Sequence, residues 1–289
     1  MSDPRYISSR DNQKFKELRG LTDDPRRHGR TVVDGIHLVS TCFARGVGIR
    51  QLLASESGQR NPEIAALLQR ASGFDCMVLR DSLFREISGV GTPTGIAAVI
   101  DIPPVPEGKI SGDAVLLDAV QDAGNVGAIL RTAAAAGVRD VLLGPGCAGA
   151  WTPRVLRAGQ GAHFSLAIRE QVDLVAALGS CSGTSIATVA CGGTNLYELD
   201  LAGPIAWLVG NEGAGLSAEL VAAAGACATI PLAGGSESLN VAAAAAVCLF
   251  EASRQRAMHG SAPRDTVHIQ KAWATSHQGI PSPSKRLGT

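Results

Sequence analysis

Apolar runs of strand length alternate with helical patterns through the second half of the chain. Runs with few polar interruptions occupy residues 114–120, 140–144, 164–168, 185–190 and 205–210. Helical patterns follow two of these runs, at 125–138 and 171–178. Continuous apolar strands that alternate with helices are typical of a parallel sheet covered on both faces. The pattern therefore predicts an α/β fold built on a parallel sheet.

The N-terminal third shows a shorter and less regular alternation. Helical patterns are predicted at 12–21, 36–45 and 61–70. Extended segments are predicted at 31–34, 51–54 and 95–100. These elements indicate a small α/β or α+β domain that precedes the parallel sheet.

A stretch rich in proline and glycine, DIPPVPEGKISGD at 101–113, separates the two regions and is typical of a linker. The predicted organisation is an N-terminal domain, a linker, a second domain and a tail, at 1–104, 105–112, 113–257 and 258–289. The tail is rich in Ser, Pro, Gly and His, and this composition predicts disorder.

Composition excludes several classes of protein. The chain has 289 residues, 45% hydrophobic and 18% charged, as is usual for globular proteins. Because no uninterrupted apolar run approaches ~18 residues, we expect no membrane span. The seven cysteines form no CxxC pair, so we expect neither a zinc site nor a disulfide scaffold, and we predict a cytoplasmic location. The sequence has no cluster of His, Cys and Asp at the spacing of metal ligands, so we expect no bound metal ion.

Lys and Arg are concentrated near the N-terminus, although 26 basic and 26 acidic residues give a formal net charge of zero. A partner rich in phosphate would bind there most readily. The candidate residues for this contact are Arg10, Lys14, Lys16, Arg19 and Arg30. A solvated helix surface explains the same charges equally well.

The first of three polar loops follows the strand predicted at 114–120. Its sequence, QDAGNVGAILRTA, places Asn125 where a helix N-cap is expected and Arg131 six residues later. Ligands of open parallel sheets bind beyond the carboxyl ends of the strands, where this loop lies. Arg131 either extends its charged group to water past the apolar residues of the helix, or places its positively charged guanidinium group beside a phosphate or ribose.

Two further loops have the same layout. LVGNEGAGLS contains Gly210, where backbone could approach a ligand closely, and Glu212, which is either solvated or hydrogen-bonded to a ligand. It matches neither a Walker A loop nor a GxGxxG fingerprint. In IPLAGGSESLNVAAAAAVCLFEA, Ser236 or Ser238 is expected to cap an alanine-rich helix, whose polar entrance could receive a ligand. A capped core helix explains that pattern too.

Together, in this order and spacing, the three loops resemble the motifs of the SpoU, or TrmH-like, RNA 2′-O-ribose methyltransferases of the SPOUT superfamily. ISSRDNQKFKELRGL, VVDGIHLV and GTPTGIAAV resemble the family's substrate-binding domain, so the resemblance spans roughly residues 5–255. This sequence departs little from the usual family motifs. It has Ala123 where the family usually has Pro and Leu232 where Met is common, and Ala242 stands at a position usually occupied by Ser or Ala. None of them removes a polar group assigned to the chemistry.

The resemblance implies features that periodicity does not reach. It implies an α/β SPOUT domain with a deep trefoil knot, an N-terminal L30e-like domain, and a homodimer whose sites are completed near the interface. It also implies S-adenosylmethionine as the methyl donor, bound in the knot without a metal. The residues implied in donor binding are Gly210, Ile230, Leu239, Thr188 and Val189.

The resemblance further implies which polar residues act on the acceptor. Arg131 is the residue closest to activating the 2′-hydroxyl; because arginine is a poor base, we expect it to orient the ribose and stabilise the developing alkoxide. Asn125 and Asn240 would fix hydrogen-bond geometry. Glu212 would orient Arg131 or a substrate hydroxyl, and Ser238 would hold the loop or a phosphate.

Four alternatives stay open on the sequence. The acceptor is expected in ribosomal RNA, but transfer RNA enzymes share these motifs. The methyl group could go to a base nitrogen, although the NEGxGLS and SLNV loops favour ribose. The chain could bind RNA without catalysis. Another nucleotide-binding enzyme, such as a dehydrogenase, is disfavoured because the chain has no GxGxxG fingerprint.

Overall fold

The computed structural model describes residues 5–71, 73–105, 108–234 and 238–260. Its N-terminal part contains five strands: β1 (Arg5–Ile7), β2 (Arg30–Asp34), β3 (Ile49–Ser55), β4 (Cys76–Leu79) and β5 (Ile96–Asp101). The helices described there are α1 (Gln13–Asp23), α2 (Pro25–His28), α3 (Ile36–Arg45), α4 (Pro62–Arg70) and α5 (Asp81–Ser88).

The N-terminal sheet is mixed, with strand order β1-β4-β3-β5-β2. Strand β5 runs antiparallel to β2 and β3, whereas β4 runs parallel to β1 and β3. Side chains alternate across the sheet, so Val32 packs in a cluster with Phe15 of α1, while Val33 packs in a cluster with Leu38 of α3. Helices α1 and α3 therefore cover opposite faces of this sheet.

The second part contains a seven-stranded sheet and five helices among the described residues. Its strands are β6 (Ala114–Leu117), β7 (Asp140–Leu143), β8 (Ala167–Glu170), β9 (Thr184–Thr188), β10 (Thr194–Asn195), β11 (Ile205–Val209) and β12 (Ala226–Thr229). Its helices are α6 (Ala123–Ala135), α7 (Pro153–Gly159), α8 (Leu174–Leu178), α9 (Ala218–Ala223) and α10 (Val241–Met258).

The strand order of this sheet is β10-β12-β9-β11-β6-β7-β8, and every neighbouring pair is parallel. The predicted parallel α/β sheet is therefore confirmed. All residues of β6 and β11 are buried, because helices cover both faces. On one of these faces α6 packs on α7 so closely that a Cβ at Gly127 would lie 2.4 Å from the Cβ of Ala158.

The two halves contact each other through β2 and α7. The Thr31 hydroxyl donates to the Trp151 carbonyl at 2.6 Å, and an Arg157 Nη1 lies 3.5 Å from the buried Asp34 carboxylate. Ser88 also donates to Asp34, at 2.9 Å. Burial nevertheless raises the pKa of Asp34, and the Ser88 and Arg157 contacts only partly oppose the rise.

The ends of several elements differ from the sequence-based predictions. The predicted linker at 105–112 lies partly outside the described residues, and its Ile110 is buried and pairs with Cys181. Helix α10 continues to Met258, so the predicted tail begins in helix; residues 261–289 of the tail lie outside the described residues. Among the described residues, no helix is long and apolar enough to cross a bilayer.

Candidate active site

A cavity of about 360 Å³ opens at the carboxyl ends of β9, β11 and β12. Thr188 ends β9, Gly210 follows β11 and Ile230 follows β12, so three strand ends meet at this point. The described residues that line it are Thr188, Val189, Ala190, Gly210, Asn211, Glu212, Gly213, Gly215, Ala228, Ile230, Leu232, Ser238, Leu239, Val241 and Ala244. This donor cavity, as we call it below, brings together all five residues that were expected to contact the methyl donor.

The loop after β11 folds into a compact turn. Asn211 and Gly215 exchange two backbone hydrogen bonds, at 2.9 and 3.0 Å. The Asn211 side chain accepts from the Gly213 and Ala214 amides and donates to the Ala119 carbonyl at 2.8 Å. Asn211 therefore fixes both the shape of the loop and its attachment to the end of β6.

The reason for glycine at position 210 lies within the chain itself. A Cβ there would lie 2.3 Å from the carbonyl carbon of Gly215 and 2.3 Å from the Leu216 nitrogen. The sequence-based explanation, close approach of backbone to a ligand, is therefore incomplete. Glycine lets the turn close on itself, and the closed turn shapes the wall of the donor cavity.

Glu212 connects this turn to the loop before α6. Its carboxylate accepts hydrogen bonds from Asn125 Nδ2 at 3.0 Å and from the Asp122 and Gln121 amides at 3.2 and 3.3 Å. Partial burial acts to raise the pKa of Glu212, but the hydrogen bonds, led by that from Asn125, outweigh burial and lower it. Glu212 is therefore held as a carboxylate and organises the first loop.

The third loop joins the same network through Asn240. Its Nδ2 donates to Asn125 Oδ1 at 2.9 Å, while its Oδ1 accepts from the Ala242 and Ala243 amides. Glu212, Asn125 and Asn240 thus form a continuous chain of side chains. This chain ties together the three loops whose sequences suggested a shared site.

Two expected helix caps are wrong. Helix α6 is capped by Asp122, whose side chain accepts from the Asn125 amide at 2.8 Å, so Asn125 lies inside the helix. Helix α10 is capped by Asn240 rather than by a serine. Ser238 is exposed beside the donor cavity, and Ser236 lies outside the described residues. The cap at Asp122 leaves the Asn125 side chain available for the network, whereas Asn240 caps α10 through Oδ1 and joins the network through Nδ2.

Arg131 lies away from the donor cavity of its own chain. It follows Asn125 by six residues, about 1.7 helical turns, so it projects from a different side of α6. It is exposed and lines a second cavity, beside His37 and Arg45 of α3. The expectation that Glu212 orients Arg131 is not met within the chain, since Glu212 hydrogen-bonds Asn125 instead.

The basic residues expected to bind RNA lie on the exposed surface of the N-terminal half. Arg10 pairs with Glu86 at 2.5 Å, and Lys14 pairs with Glu17 at 2.8 Å. The remaining three candidates, Lys16, Arg19 and Arg30, are exposed. Exposed ion pairs are weak, so all five remain available to phosphate.

Asp122 and Asn211 shape the loops of the candidate site, and the sequence reasoning did not single them out. Asp122 precedes Asn125 by three residues, a spacing that also fits an N-cap. Asn211 lies in GNEG, where an Asn side chain commonly bonds the backbone two residues on. Within the described ranges, no group of three His, Cys, Asp or Glu side chains could hold a metal ion.

A parallel sheet whose strand-end loops enclose one cavity has the α/β architecture of the SPOUT methyltransferases, whose fold is knotted. Residues 113–250 match the model of the SpoU rRNA Methylase family. A 23S rRNA (guanosine(2553)-2′-O)-methyltransferase of Bacillus subtilis, RlmP, is 33% identical over 256 residues, which cover 85% of this chain and 98% of that protein. The chain belongs to the SpoU family.

Two other relatives agree with this placement. A 23S rRNA (uridine(2479)-2′-O)-methyltransferase of Streptomyces viridochromogenes is 32% identical over 272 residues, covering 87% of this chain and 93% of that protein. The solved structure of AviRb from the same organism, in complex with AdoMet, superposes with a TM-score of 0.73 at 28% identity. The match covers 85% of this chain and 98% of that one.

Proposed function

We propose that this protein transfers a methyl group from S-adenosylmethionine to a ribose 2′-hydroxyl of ribosomal RNA. The observation that carries the proposal is the convergence of the three motif loops on one cavity, through the hydrogen bonds of Glu212, Asn125 and Asn240. The specificities named for the Bacillus and Streptomyces relatives support ribosomal RNA and the ribose oxygen.

The donor cavity fits a nucleoside sulfonium. Its volume of about 360 Å³ lies within the usual range of ligand pockets, roughly 300–1,000 Å³. Ile230 and Leu239 supply apolar walls for an adenine ring, and the loop that begins at Thr188 and Val189 supplies backbone groups for hydrogen bonding. S-adenosylmethionine, when bound, supplies an activated methyl group. The chain's task is to align that group with the acceptor and to exclude water.

The acceptor side depends on polar groups of fixed geometry. Asn125 is held by Glu212 and by Asn240, so both asparagines are pre-oriented before a substrate binds. Ser238, exposed beside the donor cavity, is placed to contact a substrate phosphate or hydroxyl. Arg131 orients the ribose and its phosphate and stabilises the developing alkoxide. We expect Arg131→Ala to abolish transfer while the protein still folds.

The position of Arg131 favours a site shared between two chains. Because Arg131 projects away from its own donor cavity, it reaches a donor only if a second copy packs against α6. Exposed apolar side chains at Leu239, Phe250 and Met258 lie on or next to α10, which packs on α6. A homodimer formed through these helices would cover that surface and place each Arg131 at the partner's donor cavity.

Mixed dimers test this arrangement. A chain with Arg131→Ala and a chain with Gly210→Ala, carrying different tags, are co-expressed and the mixed dimer is purified. If Arg131 acts across the dimer, the unaltered donor cavity of the Arg131→Ala chain receives the unaltered Arg131 of the other chain. One of the two sites is then intact, and activity is about half of wild type. If Arg131 acts within its own chain, the mixed dimer is as inactive as each parent.

RNA capture is proposed for the basic N-terminal surface. Replacing Lys14, Lys16 and Arg19 with Ala removes three positive charges from α1. We expect weaker RNA binding and a shallower dependence on salt, because fewer counterions are released, while donor binding is unchanged. Unchanged RNA affinity in this variant would exclude α1 from the contact.

Mapping 2′-O-methylated nucleotides in cells with and without the gene tests the function itself. We expect a single ribosomal RNA position to lose its methyl group when the gene is absent. Loss in transfer RNA instead would assign the alternative substrate, and no loss in any RNA would favour a non-catalytic RNA-binding protein. Bacterial ribosomes lie in the cytoplasm, where we therefore expect this activity.

A further inference from the structure

A second cavity, of about 370 Å³, lies between the two halves of the chain. Helix α3 contributes His37, Thr41 and Arg45 to its wall, and α6 contributes Arg131 with two alanines. Residues between the end of α7, at Gly159, and Ser165 complete the described lining. We call this surface the α3–α6 groove.

The α3–α6 groove is lined by two arginines and by no described acidic residue. None of the described residues that line it is Asp or Glu. Arg131 is exposed, and no residue that the structure describes accepts a hydrogen bond from its side chain. Arg45 is exposed and donates from Nη1 to the neutral Ser165 hydroxyl at 2.5 Å, so its charge is not neutralised. Two such guanidinium groups in one groove favour a phosphate group as the ligand.

The floor of the groove is formed by a tightly packed turn. Gln160 and Gly161 both have positive φ, at 48° and 86°, which bends the chain sharply after α7. A Cβ at Gly161 would lie 3.2 Å from Cγ2 of Thr41, so the turn packs directly on α3. The floor of the groove is therefore a packed junction between this turn and α3.

The basic residues of α1 cannot reach this groove. Helix α1 covers one face of the N-terminal sheet, whereas α3 covers the other face, which packs in one core cluster with the parallel-sheet half. The face that carries Lys14, Lys16 and Arg19 is thus separated from Arg131 by the sheet. The cations that share a groove with Arg131 come from α3.

We propose that the α3–α6 groove binds the phosphodiester backbone of the RNA strand that carries the target ribose, with Arg45 as a substrate-binding residue. The inference rests on the proposed function, because Arg131 is the residue proposed to act on the 2′-hydroxyl. A phosphate held by Arg45 places the neighbouring ribose beside Arg131. RNA held on α1 adds affinity on the other face but does not position that ribose.

The test compares Arg45→Ala with two matched variants. Ser165→Ala removes the same hydrogen bond without removing charge, and Arg60→Ala removes one exposed guanidinium that lies outside the described lining. For each variant, affinity for a 23S rRNA transcript is measured over a range of salt concentrations. Calorimetric binding of S-adenosylmethionine, the sedimentation mass, and kcat and KM for RNA methylation are measured in parallel.

We expect Arg45→Ala to weaken RNA binding about tenfold to hundredfold, as for a lost charge-assisted hydrogen bond. The slope of log affinity against log salt should shrink by about 0.7, the value for one phosphate contact on a single strand. kcat should fall, whereas the Lys14, Lys16 and Arg19 variant should change KM alone. Donor binding and mass should stay as in wild type, and Arg60→Ala should bind RNA normally. Ser165→Ala keeps the charge of Arg45, so it should lose less RNA affinity than Arg45→Ala.

The inference is overturned if Arg45→Ala binds RNA as well as Arg60→Ala does. It is also overturned if Ser165→Ala loses as much RNA affinity as Arg45→Ala, because the role of Arg45 would then be structural. A changed mass for Arg45→Ala would assign the groove to a contact between copies of the chain and also overturn it. If wild type binds donor and RNA but transfers no methyl group, the proposed function fails instead. The binding comparison then still decides whether the groove holds RNA.

Discussion

At the scale of single residues, the geometry of the donor cavity depends on Gly210. The backbone of Gly215 and Leu216 occupies the space where a side chain at 210 would project. Gly213, in the same loop, differs, because a Cβ there would meet only Asn211 Oδ1, at an ordinary 3.6 Å. One loop thus contains a glycine that packing requires and a glycine that packing does not require.

This contrast gives the first prediction. Gly210→Ala forces the turn open, so we expect donor affinity to fall at least about tenfold and stability to fall by roughly 1–3 kcal/mol, the usual cost of overpacking. Calorimetric binding of S-adenosylmethionine and urea unfolding measure the two effects. Gly213→Ala is the matched control and should resemble wild type. Equal loss in both variants would show that the loop tolerates no side chain at all.

Glu212 gives a second prediction, in the pH dependence of stability. Its pKa is lowered from the ordinary value of 4.5 in the folded protein, so its charged form stabilises the fold. That contribution is fully present above pH 4.5 and is lost as pH falls through the lower folded-state pKa. We therefore expect Glu212→Gln to be less stable than wild type at neutral pH, with a difference that disappears in acid.

Urea unfolding of both proteins across that pH range measures the difference. A difference that stays constant with pH would contradict the assignment of the effect to the carboxylate. Turnover of Glu212→Gln should fall as well, since an amide can accept through one oxygen only and cannot hold both the Asn125 side chain and the two backbone amides.

At the scale of elements, Asn240 serves both a helix and the site. Its Oδ1 caps α10 and its Nδ2 contacts Asn125. Asn240→Ala removes both interactions, so we expect a stability loss of about 1 kcal/mol, typical of a lost N-cap, together with loss of turnover. Asn240→Asp keeps the cap and removes only the donor to Asn125, so we expect near-normal stability with low turnover.

Thermal unfolding and methylation assays on the two variants separate the two roles. If Asn240→Asp retained full turnover, the contact with Asn125 would be unnecessary for the chemistry. If it were as unstable as Asn240→Ala, the side-chain oxygen would not be the cap that stabilises α10.

The extents of most elements were predictable because their signals are local. The helix predicted at 36–45 matches α3 (Ile36–Arg45), and the strand predicted at 205–210 matches β11 (Ile205–Val209) within one residue. The caps of α6 and α10 were predicted wrongly, because several neighbouring residues can cap a helix and packing decides among them. The missed elements are short: α2, α5, α7, α9, β1, β4, β10 and β12. In α7, for example, the sequence has a proline start and no long apolar period.

At the scale of the whole molecule, the sequence alone predicted a parallel sheet but not which loops meet. The hydrogen bond between Asn125 and Asn240 joins residues 115 positions apart, and no local pattern reports such a contact. Resemblance to a family supplied that convergence. The resemblance did not predict the direction in which Arg131 projects. That direction depends on which faces of α6 pack against other elements of the fold.

The contact between the two halves gives a prediction at this scale. Arg157 is the cation beside the buried Asp34, whose pKa burial already raises from 3.8. Such a carboxyl favours folding when protonated, and this contribution is lost as pH rises through its raised folded-state pKa. Removing Arg157 increases the cost of the charged form, so Arg157→Ala should lose about 1–3 kcal/mol near neutral pH and less in acid.

Urea unfolding as a function of pH measures this loss. The control is the double variant that combines Arg157→Ala with Asp34→Asn, because it has no buried carboxylate to leave unpaired. The difference in stability between this double variant and Asp34→Asn alone should not grow with pH. A loss for Arg157→Ala that is equal at all pH values would instead reflect packing of the arginine stem.

The central claim, that the three linked loops hold a methyl donor beside a ribose 2′-oxygen, is tested most directly by one measurement. Purified protein is incubated with methyl-labelled S-adenosylmethionine and 23S rRNA, and the RNA is digested to nucleosides that are separated and counted. The account predicts label in one 2′-O-methylated nucleoside, absent when Gly210→Ala replaces the wild-type protein. Label in a base-methylated nucleoside, or no label with wild-type protein that binds the donor, would contradict it.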